Sequence, residues 1–597
     1  MLIRISKHLI ILLLFSAVNI YSQPKEYQLN LYKDNLSWYW LGKLSWDSGW
    51  HSGSRFLFDD HFSSSLFVER ALGNKWRDEN NLTTSWIYRI RESWSTASYL
   101  RSQIFSDENS FVKFSKHLLY QEIQYSPLSR VSLKPAVGWA TEDIYQYRDQ
   151  GWYSQVGMNV RNYDMGGYYN TSDGLSTFYF FPNRMNQEHR YFISFKKQFS
   201  ALASDSIQVG YEFIDNMYPL PPGSGEANKV MEEVGINARY LFNDLQYQLS
   251  KLTILQVETK LQNRDVTQSN LNLLNHRREL NYANRIGIRY AGPRMSAAFA
   301  FNSSQVTTLA SRRPAGGEES RTDIDGLQAA FHVMWGWRMS AADDLGLNFS
   351  YTKYEYSSPD TTQSIDEDDV RFIVDLNYHH RFSRYFLFRL NTNLYLYHQI
   401  YIYPSRSANN NWNRIYQLSS SFVHQLGDHF ENVYQLKILA NYTVYDFEEI
   451  LPEVRSYLFR KLIFSDTLRV KISGGLKIQT FYQLEKEDNG TFFEDIFAQQ
   501  VSRELVSHYL DIALIYYRIK GFEISTALNW HIRQEWNMMP ERRQVRDYQA
   551  FSPRLSIVYQ MGKRLFFYAT LAPRVYQDIN VREQYFSTGR LNLRYLF

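Results

Sequence analysis

The histidines that lie near carboxylates are the first candidates for chemistry. His379 and His380 follow Asp375 closely, and His508 precedes Asp511 by three residues, so general-base roles have to be considered. Successive side chains of a strand leave on opposite faces, so His379 and His380 cannot enter one site from the same side, and His508 and Asp511 also diverge. No nucleophile elbow, phosphate loop or zinc helix occurs. With Cys 0 there is no disulfide, thiolate metal site, cysteine nucleophile or lipidated cysteine. The sequence predicts no catalytic residue, no metal and no cofactor, and a hydrolase is the weakest of the functional readings.

Charged residues recur with a different logic. Lys134, Arg161, Arg389, Lys437, Arg469, Lys471, Lys477, Arg533, Arg564, Arg574 and Arg594 fall on the polar side of alternating segments, against Glu431, Asp511 and Glu523. If those polar sides line a water-filled pore, a basic ring favours anions. The alternative is that the bases pair with acids elsewhere on the wall and simply solvate it.

Such a lining requires strands, and the chain reads as strands throughout. From Tyr385 to Tyr403, Phe386, Phe388, Leu390, Leu394, Leu396, Ile400 and Ile402 share one face, while Arg389, Asn391, Asn393 and Gln399 share the other. The same alternation covers Val131 to Trp139, Leu436 to Tyr442 and Phe522 to Ile532. Turn residues recur at Ser126-Pro127, Ala203-Ser204-Asp205, Asn243-Asp244, Gly292-Pro293, Ala342-Asp343, Ser383-Arg384, Gly427-Asp428, Ser465-Asp466, Lys520-Gly521 and Gly562-Lys563, with one more turn inferred near Met165-Gly166-Gly167. Long polar connections alternate with them: Met217 to Lys229, Asn263 to Asn281, Thr308 to Asp325, Ser357 to Asp369, Pro404 to Asn413, Glu485 to Arg503 and Met538 to Tyr548.

Short turns alternating with long loops are the topology of an outer-membrane barrel, with the short turns in the periplasm. The fold class predicted is therefore all-β, a transmembrane antiparallel up-and-down β-barrel of about 26 strands, within a range of 22 to 26. The aromatic content of 17% suits interfacial girdles, and the mean hydropathy of -0.45 is compatible, since only alternate residues need be apolar. Residues 1–22 read as a signal peptide, with Arg4, Lys7 and His8 before the apolar Leu9 to Val18 and cleavage near Ser22 and Gln23. Residues 23–80 form either the first barrel strands or a small docking piece, and 81–597 the barrel.

The chain closes on Leu591, Leu593, Tyr595 and Phe597 at alternate positions, with Asn592 and Arg594 between them. This segment resembles the terminal β-signal of Gram-negative outer-membrane proteins. The resemblance implies the outer membrane as location and the barrel-assembly machinery as a partner. TonB-dependent receptors and the lipopolysaccharide-export barrel resemble the chain in size, yet both carry a domain before or within the barrel, and strand patterns begin too early here for one. The leading functional expectation is a passage, porin-like or for export, for polar solutes or polymer, with anions favoured. The alternative is a non-enzymatic assembly component plugged by a periplasmic partner protein. Acidic loops at Asp366 to Asp369, Glu448-Glu449 and Glu485 to Asp488 could hold divalent cations bridging lipopolysaccharide, and Arg542, Arg543 and Arg546 could meet lipid phosphates, but the spacing is not that of a calcium loop. Net charge of +4 gives no basis for a nucleic-acid partner.

Overall fold

In a computed structural model, the structure describes residues 26–596 apart from 35, 70–72, 111, 146, 221–230, 271–272, 359–365, 451–454 and 580. The proposed signal peptide, its cleavage site and Phe597 lie outside them. All strands belong to one antiparallel sheet that closes on itself as a 28-strand barrel, with 85% of the described residues in strands. Closure joins the first strand, Glu26–Lys33, to the last, Val581–Leu596, in an eight-residue antiparallel register from Glu26↔Leu596 to Lys33↔Gly589. Leu29 and Leu31 meet Leu593 and Leu591 across that seam, so the segment that resembles a terminal β-signal is also the closing strand.

The barrel has one hairpin more than the sequence predicts. The early segment holds four strands, Glu26–Lys33, Ser37–Asp47, Ser54–Glu69 and Gly73–Arg91, and the turn at Glu92-Ser93 carries little turn chemistry. Four predicted turns are misplaced: Ser126-Pro127 lies inside Val112–Leu128 and Ala203-Ser204-Asp205 inside Ala203–Pro219, the chain turning at Ser129-Arg130 and Ala201-Leu202. Asn243-Asp244 lies inside Met231–Ser250 and Ser465-Asp466 inside Tyr457–Ser473, whereas the chain actually turns at Lys251-Leu252 and Gly474-Gly475. Asn and Asp are accommodated within a strand when a neighbour satisfies them, as Asp205 does for the Asn243 amide at 2.7 Å.

Two predicted outer loops are also strands. Thr253–Asn270 and Leu273–Ala291 continue through the region from Asn263 to Asn281, and Leu476–Phe493 and Ala498–Tyr516 occupy most of Glu485 to Arg503. A membrane strand needs only about 9–11 residues. Strands of 14 to 20 residues therefore stand clear of the bilayer, where both faces are polar and period-two alternation fades.

The two faces of the wall are distinct. Val137, Trp152, Leu436 and Leu528 are exposed together with most of the other large apolar residues, and their registers place them on one surface that faces lipid. Their sequence neighbours point inward. At about 4.8 Å between strands and a tilt of about 40°, 28 strands enclose a perimeter of roughly 175 Å, too wide for side chains to fill. Adjacent residues should consequently respond oppositely to mutation. Leu436→Arg should destabilise the inserted barrel by about 2–4 kcal/mol, whereas Lys437→Gln should leave its denaturant midpoint unchanged, both read by tryptophan fluorescence in lipid vesicles.

Candidate functional site in the barrel lumen

The inner wall is organised into three polar groups. The first is an ionic knot at the outer rim. Arg184 opens the strand Arg184–Ser200 with a side chain only 1% exposed. Its guanidinium meets Glu142 at 2.5 Å and Asp149 at 2.9 Å and donates to the Met217 carbonyl, while Lys116 meets Glu142 at 2.7 Å. Five strands are tied together by one side chain and its partners. Below the knot, Tyr99, Tyr120, Tyr153 and Tyr179 lie against one another, with successive ring centroids 4.7, 5.2 and 5.1 Å apart. Gly138 makes this packing possible: it stands in register between Tyr120 and Tyr153, and a Cβ there would come within 2.4 Å of the Tyr120 Cβ. The two rings close over the gap left by the missing side chain.

The second group is an open recess of about 590 Å³ in the opposite part of the sequence, lined by Gln479, Phe481, Gln483, Glu485, Ser507, Tyr509, Asp511, His531, Arg533 and Arg554. Its charges are paired. Arg554 meets Asp511 at 3.2 Å, and the buried Glu535 accepts from Arg533 at 2.7 Å, from Arg546 at 3.4 Å and from Arg503. The Ser507 hydroxyl contacts His531 Nε2 at 3.0 Å.

The third group lies at the periplasmic end, beside the turn at Gly427-Asp428. A recess of about 220 Å³ is lined by Gln425, Gly427, Asp428, Phe430, Glu431, Arg469, Lys471 and Lys477. Arg469 is paired with Glu431 at 2.6 Å. Lys471 and Lys477 stand directly opposite each other on neighbouring strands. Neither forms an ion pair among the described residues.

These positions place the sequence candidates. Lys134, Arg161, Arg389, Lys437, Arg469, Lys471, Lys477, Arg533, Arg574 and Arg594 all share the face opposite the exposed apolar residues of their strands. Arg564 does not: it sits in the turn after Met561, whose carbonyl accepts its backbone N–H at 3.2 Å. The strand face ends at Met561, and Arg564 lies beyond it where the chain turns. Arg594 meets Glu26 at 2.7 Å across the seam, so Arg469 and Arg594 each have a carboxylate of their own, while Arg533 shares Glu535 with Arg503 and Arg546. His379 and His380 do diverge. His380 Nδ1 contacts Asp343 at 2.5 Å, while Asp375 accepts from Asn393 instead. His508 contacts the Tyr482 hydroxyl at 3.0 Å and has no contact with Asp511. Among the described residues no group of three or more metal-ligating side chains converges.

Sequence reasoning missed Arg184, Glu142, Tyr509, His531, Tyr548 and Glu535. The signal for the aromatic ones was parity, because Tyr548 shares its face with Arg546 and Arg554 rather than with Phe551 and Leu555. Arg184 gave no such signal, since its partners come from three other strands.

A closed barrel of this size with an apolar exterior and a charged interior is a large outer-membrane β-barrel protein. No family profile and no curated protein matches the chain. Among solved structures, it is similar to the alcaligin outer-membrane receptor FauA from Bordetella pertussis, with 10% identity, 81% of each chain covered and a TM-score of 0.37. It is also similar to the copper transporter OprC, with 8% identity, coverage of 91% of this chain and 80% of that one, and a TM-score of 0.39. For the unliganded ferric citrate transporter FecA the values are 9%, 96%, 79% and 0.37. At these scores the likeness carries no inference about activity.

Proposed function

We propose that the barrel provides a passage across the outer membrane for polar solutes, with anions favoured at its periplasmic mouth. The observation that carries this reading is the polarity of the inner wall: every group of side chains described above is charged or hydrogen-bonding, in a perimeter too wide to be filled by them. Anion preference rests on Lys471 and Lys477, which face each other beside a recess whose arginine is already balanced by Glu431. Farther up the wall Arg184, Arg533 and Arg554 each hold a carboxylate.

Single-channel recording of the refolded protein in a planar bilayer tests the reading. Large steady openings are expected, with a reversal potential under a salt gradient on the anion side. Lys471→Glu combined with Lys477→Glu should move that potential toward cations without closing the pore. Silence from an inserted, heat-modifiable, β-rich protein would overturn the open passage and favour a lumen blocked by a partner.

A further inference from the structure

The larger recess continues into a row of aromatic rings across six consecutive strands. Phe481, Tyr509, His531, Tyr548, Tyr576 and Phe586 make five successive ring contacts, with centroids 5.8, 5.9, 5.4, 5.6 and 4.9 Å apart. The row climbs the wall over its first four rings and then levels off, with Tyr576 eleven residues from Leu565 and Phe586 ten from Leu596 at the periplasmic ends of their strands. Phe481 lies five residues from the periplasmic end of its strand at Leu476, Tyr509 seven from Tyr516, His531 nine from Phe522 and Tyr548 thirteen from Met561. The six rings stand half-buried on the inner face, so they neither meet lipid nor fill a closed core.

The rings are held in place by polar neighbours. The Tyr509 hydroxyl accepts from the Asn529 amide, and the Tyr548 hydroxyl accepts from the Arg574 guanidinium. Alongside, Arg533 with Glu535 and Arg554 with Asp511 set a donor and an acceptor side by side. Adjacent donor and acceptor groups match the neighbouring hydroxyls of a sugar, and an aromatic face matches the apolar C–H side of a pyranose ring. Arg533 and Arg554 already hold carboxylates that a polyanion would have to displace, and an extended row suits a chain better than a compact solute.

We infer that this row is a binding track for a linear carbohydrate chain in transit, an inference that rests on the passage proposed above. The recess at its lower end, about 590 Å³, is of the size that holds a small-molecule segment. The test uses maltohexaose and cellohexaose as probes on the full-length barrel. Their binding is measured by calorimetry in detergent, and their block of single-channel current in bilayers. At least one should bind saturably. Tyr509→Ala and Tyr548→Ala should each weaken it by about tenfold or more, Tyr548→Phe should retain most of it, and Trp530→Ala, on the lipid face beside His531, should change nothing. Absence of saturable binding to both sugars overturns the track, as does binding that both alanine variants keep or equal block by a polyethylene glycol of the same mass. Conductance without sugar binding refutes the track alone, and sugar binding without conductance refutes the passage while leaving the site.

Discussion

Arg184→Ala is expected to lower the stability of the inserted barrel by about 3–5 kcal/mol, the cost of breaking a buried ion pair by removing one partner. The expectation follows from its 1% exposure and from what it leaves behind. Asp149 would lose its cation, Glu142 would keep only Lys116, and the Met217 carbonyl would lose a donor. Arg184→Lys keeps the charge but cannot reach both carboxylates with one planar fork, so its loss should be intermediate. Replacing the pair by apolar groups, Arg184→Met with Asp149→Leu, should recover much of the loss because no uncompensated charge remains there. Guanidinium unfolding in lipid vesicles gives all three values. A loss below about 1 kcal/mol for Arg184→Ala would mean that the knot is solvated in the membrane-bound protein.

The contrast between this knot and the rest of the fold marks where sequence stops being informative. Alternation from Tyr385 to Tyr403 announces both the strand and its facing, because the bilayer forces one face to be apolar while water wets the other. The same rule loses force above the membrane. There, Thr253–Asn270 and Leu273–Ala291 are polar on both sides and read as a loop. Turn residues are weak markers for a related reason: Ser465-Asp466 is tolerated inside a strand, whereas Glu92-Ser93, with little to distinguish it, reverses the chain.

The interior was legible only in part. Facing could be assigned to Lys437 or Arg533 from their own strands, but whether such a base is free or paired depends on strands far away in sequence. Arg469 finds Glu431, 38 residues away, and Arg594 finds Glu26 at the other end of the chain. The aromatic residues posed a second difficulty. In composition they suggest membrane girdles, as Trp86 and Trp152 on the outer surface exemplify, yet Tyr509 and Tyr548 use the same ring chemistry toward the lumen.

Deleting Val581–Phe597 should abolish the assembled barrel altogether. The last strand fills a position that no neighbour can take over. Without it, the strand Leu565–Asp578 would have to close against Glu26–Lys33, and both run outward from the periplasmic side, so the pair would be parallel. The present seam exchanges antiparallel ladder bonds over eight register positions, with Leu591, Leu593 and Tyr595 continuing the lipid-facing surface of Leu31, Leu29 and Tyr27. A parallel closure would slant those bonds and shift the facing of side chains fixed by the remaining registers. Left open, the two edges would present unpaired N–H and C=O groups to hydrocarbon, at several kcal/mol each. The expected result is loss of the compact, heat-modifiable band on gels and loss of protease resistance in vesicles, with the truncated chain recovered aggregated. Leu593→Asp tests the same seam more gently: its backbone ladder is kept while a carboxylate enters the lipid face, so a folded but less stable barrel should form. A compact, protease-resistant barrel from the truncated chain would show that closure does not depend on the terminal strand.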